Sequence, residues 1–500
     1  MRELRKASFP LMLLCALSVS ATHAADTLPL PEHVDLKALV GDGWYRASLL
    51  GKPVGYLHSE MTVVDGEGGP GLRSVERMSV KFDFGKGPLV LESTLVTEYG
   101  KDLKPRSYHV QQDEFGRLKT VDAVVKGDQL EVSTVAGDTH QRKALALGPN
   151  FGSELAFGLA AVQGTLRDDA AFGFQGFVPE LELLVDFSVK CLGREPVTVD
   201  GEKIDALKVS FAAKSLGLEM QWWMAPGGDL VRQEVPGLMG LVLEKVSEKE
   251  ALRTIAPIAI ADHIAVEARM GDTRRLTYVR LKAGSPGTPA AELVPETPLQ
   301  HVAAKGARGA EIEVKAEAET GLEGVKLPIR RKGLDEYLAA NDIVQSDAPA
   351  IVAKAKEIVG DEKDAWQAAK KLVGWVYDKM GKVDHDPRPS SALECLEMLK
   401  GDCSEHATLL TALARAVGIP SRFVTGVIYL NDGYYYHAWN ELYINRWVAV
   451  DPTWGEYTVD AAHLALASGS LTAESFAKTN LAAVRCMGVL TLEVLEHRSK

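Results

Sequence analysis

The spacing of hydrophobic and polar residues is typical of β-strands over the first half of the chain. From residue 43 to about 251, segments such as 44–64 and 89–100 mix alternating polar and apolar positions with β-branched and aromatic residues. Turn pairs such as Asp200-Gly201 separate these segments. The pattern predicts a large antiparallel β domain over residues 25–251.

A second predicted β segment covers residues 252–330. Two strands, 272–283 and 309–319, flank a loop rich in proline and glycine that we expect at the surface. The sequence contains no internal repeat and no low-complexity tract. We therefore expect a second β segment or a linker domain at this position.

Beyond residue 330 the apolar residues recur at helical spacing. Residues 347–360 combine a cap at Asp347, apolar positions three and four residues apart, and a terminal glycine, which predicts a helix. Residues 364–380 predict a second amphipathic helix. We place a domain boundary near residue 330 and a C-terminal domain over residues 331–500.

The segment "GDCSEHATLL", residues 401–410, predicts the start of a further helix. Asp402 is a favourable N-cap and Glu405 follows three residues later, which is the pattern of a capping box with Cys403 in the first helical position. Backbone N–H groups are unpaired at this end of a helix, and the helix dipole is positive there. We therefore expect a lowered pKa for the Cys403 thiol. The alternative is an ordinary structural or disulfide cysteine.

Three successive antiparallel strands are predicted after this helix, at residues 422–430, 434–444 and 446–454. His437 lies on the middle strand, and Asp451 ends the last one. Neighbouring strands can bring an imidazole beside a carboxylate, while the preceding helix presents the thiol. Cysteine, histidine and aspartate are the nucleophile, base and orienting acid that a thiol acyl-transfer site requires.

Three segments resemble the blocks of the transglutaminase-like superfamily, namely "GDCSEHATLLTALARAVGIPSRFVTG", "YYHAWNEL" and "RWVAVDPTW". The blocks occur in family order within residues 345–460, with 34 residues from Cys403 to His437 and 14 from His437 to Asp451. The resemblance implies an α+β fold with a C-terminal, papain-like Cys/His/Asp domain after the antiparallel β region. It also implies that Cys403 is the nucleophile, His437 the base and Asp451 the orienting acid.

No cofactor or metal is expected from the sequence. We do not recognise the calcium-binding pattern of animal transglutaminases. Cys403 and His406 lie three residues apart, but a Cys/His pair without further ligands at zinc spacing is a weak metal signal. We expect Glu441 to be a structural or solvated carboxylate. The tyrosines at 434–436 are expected to pack in the sheet or to line an acyl-acceptor groove.

The first 24 residues have the layout of a secretory signal peptide. A basic head precedes an apolar run from Phe9 to Val19 and a small-residue exit near Ala24. No other segment has the ~20 apolar residues that a membrane helix needs. The sequence therefore predicts a periplasmic or secreted protein without a transmembrane helix after cleavage.

Net charge and cysteine content argue against two further classes of protein. The net charge is −12, and an acidic chain without basic blocks argues against nucleic acid as a partner. The cysteines are too sparse for a disulfide scaffold, so apolar burial must hold the core. Pairing among Cys191, Cys395 and Cys486 stays open.

These observations together predict an exported thiol-dependent enzyme. It would transfer acyl groups from peptide or carboxamide bonds of proteins or peptides in the cell envelope or exterior, through a thioester on Cys403. Hydrolysis and transamidation both remain open as outcomes. The alternative is a non-catalytic protein-binding module of the envelope that retains the transglutaminase-like fold.

Overall fold

The computed structural model describes residues 34–66, 69–83, 88–114, 117–136, 139–199, 201–253, 255–260, 263–383 and 391–500. The predicted signal peptide lies outside these residues. The chain separates into two compact units, one reaching to Ile260 and the other running from Ala261 to Lys500. None of the described helices is long and apolar enough to cross a membrane.

The first unit is built on one large sheet, as the alternating pattern predicts. Its strands are β1 (Gly41–Leu49), β2 (Lys52–Gly66), β3 (Gly69–Asp83), β4 (Pro88–Tyr99), β5 (Pro105–Glu114), β6 (Arg117–Lys126), β7 (Gln129–Ala136), β8 (Thr139–Ala146), β9 (Ala171–Val178), β10 (Leu183–Val199), β11 (Glu202–Ala213), β12 (Leu218–Met224), β13 (Leu230–Val235), β14 (Leu241–Val246) and β15 (Ile258–Ala259). Two helices accompany them, α1 (Leu155–Val162) and α2 (Glu248–Ala251).

The strand order of this sheet is β8-β7-β6-β5-β4-β3-β2-β1-β14-β13-β12-β11-β10-β9, with β15 paired to β3. Almost every neighbour along the path is also the next strand in sequence, which is the order that short hairpin turns produce. The exception is the pairing of β1 with β14, where Trp44 lies opposite Val246. Apolar residues on alternate positions, such as Leu91, Leu95 and Val110, are buried and form the core.

The second unit combines two antiparallel sheets with a group of helices. Its strands are β16 (His263–Ala265), β17 (Leu276–Gly284), β18 (Gln300–Lys305), β19 (Gly309–Lys315), β20 (Gly381–Lys382), β21 (Lys400–Gly401), β22 (Ser421–Leu430), β23 (Gly433–Tyr443), β24 (Trp447–Val450), β25 (His463–Gly469) and β26 (Thr491–Ser499). Its helices are α3 (Ala290–Leu293), α4 (Pro349–Val359), α5 (Ala365–Lys379), α6 (Ala392–Met398), α7 (Cys403–Ala416) and α8 (Ala473–Cys486).

The strands of the predicted segment 252–330 lie mainly in this second unit. Three of them pair with β26 in the order β18-β19-β17-β26, whereas β16 pairs with β23 in the other antiparallel sheet. Leu322 and Ile329 are buried in the same apolar cluster as Trp366 of α5. Independent folding of the parts 252–330 and 331–500 stays a prediction.

The helices α4 to α7 surround one apolar core of the second unit. Trp366 is fully buried there, and Trp375 packs against the same cluster. The predicted cap of α4 at Asp347 is wrong by one residue, because Ala348 is the N-cap and Pro349 occupies the first turn. A proline at this position needs no N–H partner and has a backbone angle suited to a helix, so it starts the helix without a side-chain cap.

Candidate functional site

The capping box predicted at the start of α7 is confirmed. The Asp402 carboxylate accepts a hydrogen bond from the Ser404 N–H at 2.8 Å, and the carboxyl group of Glu405 accepts one from the Asp402 N–H at 2.9 Å. A side chain at Gly401 would overlap Glu405, so this approach requires glycine. Cys403 occupies the first helical position, where its own N–H has no partner within the helix.

The strands β22, β23 and β24 follow each other in antiparallel register, as predicted. Asn440 lies opposite Val450, so the next position along places Asp451 opposite Trp439. His437 is two residues from Trp439 on the same face of β23, which makes Asp451 its diagonal neighbour. The His437 Nε2 lies 2.7 Å from the Asp451 Oδ2. The 14 residues from His437 to Asp451 therefore span one hairpin, which brings the two side chains into contact.

The carboxylate of Asp451 is fully buried and has a complete set of donors. Its Oδ1 accepts hydrogen bonds from the N–H groups of Thr453 at 2.7 Å and Trp454 at 3.3 Å. Its Oδ2 faces the imidazoles of His437 and His463. Burial alone would raise the pKa of Asp451, but its interactions with His437 and then with His463 hold it well below its usual range. Asp451 is thus an anion fixed in one orientation.

The Cys403 thiol lies beside the strand that carries the histidine. The backbone N–H of Ala438, the residue after His437, lies close enough to the thiol to lower its pKa. The residues Cys403 and His437 are 6% and 5% exposed. The start of α7, strand β23 and the end of β24 therefore meet at one buried site.

The expected lowering of the thiol pKa is wrong. Burial raises the pKa of Cys403 well above its usual value, the charge of Asp402 raises it further, and the Ala438 hydrogen bond opposes this only in part. The cap opposes the helix dipole, because the Asp402 carboxylate that caps α7 also places a negative charge next to the thiol. A thiol in this setting is protonated at neutral pH.

A second buried histidine was missed in the sequence. The His463 Nε2 lies 3.2 Å from Asp451 Oδ2, and its Nδ1 lies 3.1 Å from Asp460 Oδ1. Asp460 and His463 are three residues apart at the start of β25, and an alternating apolar run follows them. The three-residue spacing of Asp460 and His463 was the signal available in the sequence. No neighbouring sequence pattern connects this pair with Asp451.

Glu456 is a further acidic group in this cluster. Its backbone exchanges two hydrogen bonds of 2.9 Å with that of Asp451. Burial raises the pKa of Glu456 to about 7, and the positive charge of His463 opposes the shift. The group therefore changes charge near neutral pH.

Among the residues that the structure describes, two overlapping sets of side chains have the ligand types of a metal site. The potential ligand atoms of His437, Asp451 and His463 lie within 4.8 Å of one another, as do those of Glu456, Asp460 and His463. Each set contains imidazole–carboxylate hydrogen bonds of 2.7–3.2 Å, so nitrogens that a metal would need are already engaged.

The other residues named from the sequence make contacts that stabilise the fold. The Nδ1 of His406 donates to the Asp402 carbonyl at 2.7 Å, and burial lowers the pKa of His406. Glu441 forms an ion pair with Arg422 across β22 and β23. The tyrosines at 434–436 are buried in the sheet. The cysteines of the described residues are all free thiols and buried, namely Cys191, Cys395, Cys403 and Cys486.

Comparison with known proteins identifies the segment that carries this site. The family described as Transglutaminase-like superfamily matches residues 352–452. No curated protein sequence matches the chain.

Three solved structures are similar to the chain at a low level. A "Putative Cysteine Protease" from Cytophaga hutchinsonii has 16% identity over 45% of this chain and 86% of its own, with a TM-score of 0.31. A "Beta-barrel-like Protein of Domain of Unknown Function" from Brucella abortus has 12% identity over 41% and 95%, with a TM-score of 0.31. A "putative protease" from Parabacteroides distasonis has 10% identity over 69% and 68%, with a TM-score of 0.19. The family match, with Cys403, His437 and Asp451 inside its bounds, is the stronger finding. Residues 352–452 therefore form a transglutaminase-like core domain, preceded in the chain by a large antiparallel β region.

Proposed function

We propose that the protein is a thiol-dependent acyl-transfer enzyme acting on peptide or carboxamide bonds. The observation that carries the proposal is the 2.7 Å hydrogen bond between His437 and Asp451, on the strand whose Ala438 N–H contacts the Cys403 thiol. An acid-fixed imidazole next to a thiol at a helix start is the arrangement that this chemistry needs. The predicted signal peptide supports a substrate in the cell envelope or exterior.

The hydrogen bond to Asp451 determines which ring nitrogen of His437 carries the hydrogen. A carboxylate only accepts, so His437 Nε2 carries a hydrogen toward Asp451 and Nδ1 is left to accept a proton. The thiol proton passes to Nδ1 as sulfur attacks the carbonyl carbon. The N–H of Cys403 is placed to donate to the oxyanion. The C–N bond then breaks, His437 returns the proton to the leaving amine, and a thioester remains. Water or a second amine resolves it.

The experiment traps this thioester. The protein is incubated with glutamine-containing peptides and with a mixed peptide library, and ammonia release, amine incorporation and bond cleavage are measured. Mass spectrometry locates the acyl adduct. We expect the adduct on Cys403 and none in Cys403→Ala. Cys486→Ala is the matched control, because Cys486 is a second buried thiol, whose sulfur lies 4.0 Å from the Leu293 carbonyl oxygen.

Asp451→Asn tests the role of the carboxylate. Without the acceptor, His437 loses its productive tautomer, and we expect turnover to fall roughly 10³- to 10⁴-fold. Thermal unfolding of the variant is measured in parallel, because Asp451 is fully buried and accepts two backbone hydrogen bonds that asparagine can keep through Oδ1. Near-normal turnover in a folded variant, or no acyl adduct in the wild type, would favour the binding module.

A further inference from the structure

His463 shares the carboxylate of Asp451 with His437. Both of its ring nitrogens face carboxylate oxygens, Asp451 Oδ2 at 3.2 Å and Asp460 Oδ1 at 3.1 Å. The side chain is only 1% exposed, so water cannot take the place of either partner. The ring also lies edge-on to Trp439, with centroids 5.1 Å apart. His463 is therefore held on two sides by anions and packed against an aromatic ring.

The protonation of this ring follows from counting donors. A neutral imidazole has one N–H and one lone pair, whereas an imidazolium has two N–H groups. A neutral His463 would point a lone pair at one of two carboxylate oxygens, inside a site of low dielectric. Burial by itself lowers the pKa of His463, but the hydrogen bonds that its ring donates to Asp451 and Asp460 outweigh burial and raise the pKa well above its usual value.

The charges around His463 come from every segment that contacts it. Asp451 follows β24, Asp460 precedes β25, and Glu456 lies in the turn between them. Arg274 approaches Glu456 at 4.0 Å, and His437 on β23 lies with its ring centroid 6.1 Å from that of His463. Negative groups dominate, so one imidazolium is the counter-charge that this cluster requires.

We propose that His463 is a permanent imidazolium that positions Asp451 and offsets part of its charge, and so keeps His437 in the neutral form that accepts a proton. The proposal rests on the proposed function, because it assigns His437 the role of base. His463 itself touches no reacting atom and is a positioning residue.

The consequence concerns the resting state of the site. A buried aspartate alone would stabilise a protonated His437, and with it a thiolate on Cys403. The charge of His463 competes for the same oxygen, Asp451 Oδ2, and weakens that pull. The site then rests as a thiol beside a neutral imidazole, in agreement with the raised pKa of Cys403. The proton moves only when the substrate carbonyl is attacked.

The test follows the ring nitrogens of the two histidines by NMR. The full chain is labelled with ¹⁵N in the histidine rings and titrated from about pH 5.5 to 9, a range that spans the usual histidine pKa. All samples carry Cys403→Ala, because a thiol would otherwise titrate together with the imidazole. We expect His463 to show two protonated nitrogens throughout. In His463→Gln, which keeps a donor and removes the charge, the protonated form of His437 should persist to a higher pH.

Two further variants make the result decisive. Asp460→Asn keeps the shape of the cluster but removes the anion that holds the second proton of His463, so it should move His437 in the same direction. It also serves if His463→Gln does not fold. His109→Gln is the matched control, since His109 pairs with Asp122 at 2.7 Å in the first unit, and it should leave His437 unchanged.

The outcomes separate this proposal from the proposed function. A singly protonated His463 at pH 7, or a His437 titration that neither variant moves, would overturn the proposal. If the NMR result is negative and the wild-type protein still forms an acyl adduct, the proposed enzymatic function is kept and only the role of His463 is rejected. A doubly protonated His463 that controls His437 in a protein with no adduct on Cys403 supports the charge assignment and rejects the enzyme.

Discussion

The carboxylate of Asp402 has two opposed effects on the candidate nucleophile. It caps α7 through the Ser404 N–H and so fixes the position of Cys403. It also raises the pKa of the Cys403 thiol, second only to burial. A helix N-terminus therefore does not by itself produce a thiolate, because an anionic cap such as aspartate opposes the positive end of the helix dipole. The nucleophile must be deprotonated during the reaction.

Asp402→Asn separates these two effects. Asparagine caps a helix about as well as aspartate, so the fold should be kept while the negative charge is lost. We expect a lower pKa for Cys403 and a several-fold faster reaction with iodoacetamide at pH 7. The rate is measured against pH, with mass spectrometry to locate the adduct. The wild-type rate should rise only above the usual thiol pKa of about 8.5. Superimposable profiles would show that burial alone sets the reactivity.

The elements that carry the site were predictable because their signals are local. The capping box of α7 and the hairpin from β22 to β23 each lie within a short segment. The meeting of His437 with Asp451 follows from two adjacent strands. His463 was not predictable in the same way. Its strand β25 pairs with β22, and the contact with Asp451 depends on the path of the intervening turn. The pKa of Cys403 depends on burial, which sequence spacing does not report.

The capping box of α7 should make stability depend on pH. Burial, followed by the charge of Asp402, raises the pKa of Glu405 to about 9, against about 4.3 in an unfolded chain. Between these values the folded state binds more protons than the unfolded state, so stability falls as pH rises through this window. Glu405→Gln keeps the acceptor for the Asp402 N–H but cannot ionise, so it should lose less stability between pH 6 and 9.

Urea midpoints at pH 6 and pH 9 measure this difference. Glu394→Gln is the matched control, because Glu394 accepts from the Ser391 N–H at 2.8 Å in the capping box of α6. The control shows how much of the change comes from replacing a capping glutamate as such. Equal pH dependence in Glu405→Gln and the wild type would contradict the assignment of a buried, protonated Glu405.

The chain as a whole is divided between Ile260 and Ala261. The two β segments and the helical region were predictable from their periods, since most strands pair with the next strand in sequence. The pairing of β1 with β14 joins segments about 200 residues apart and has no local signature. The same holds for β17 with β26. The kinds of element in each unit are therefore visible in the sequence, whereas the long-range strand pairings that complete its sheets are not.

Limited proteolysis should reveal this division. Leu252 is 49% exposed, and Arg253 beside it is a trypsin site. We expect cleavage there to produce a fragment from residue 254 onward that resists further digestion. Cleavage near residue 330 should leave no stable fragment that starts there, because Leu322 and Ile329 belong to the core of the second unit. Gel electrophoresis and mass spectrometry identify the fragments. A stable fragment starting near 330 would instead support the boundary predicted from the sequence.

The pairing of β17 with β26 determines when the second unit can finish folding. Leu281 lies opposite Val494, more than two hundred residues later in the chain. During synthesis β17 emerges long before its partner, so one edge stays open while everything between them is made. Contacts of such separation close slowly, because the intervening chain must first be confined. The candidate site lies within that interval. Its residues are synthesised before the sheet is complete, and the second unit cannot be fully assembled until β26 has been made.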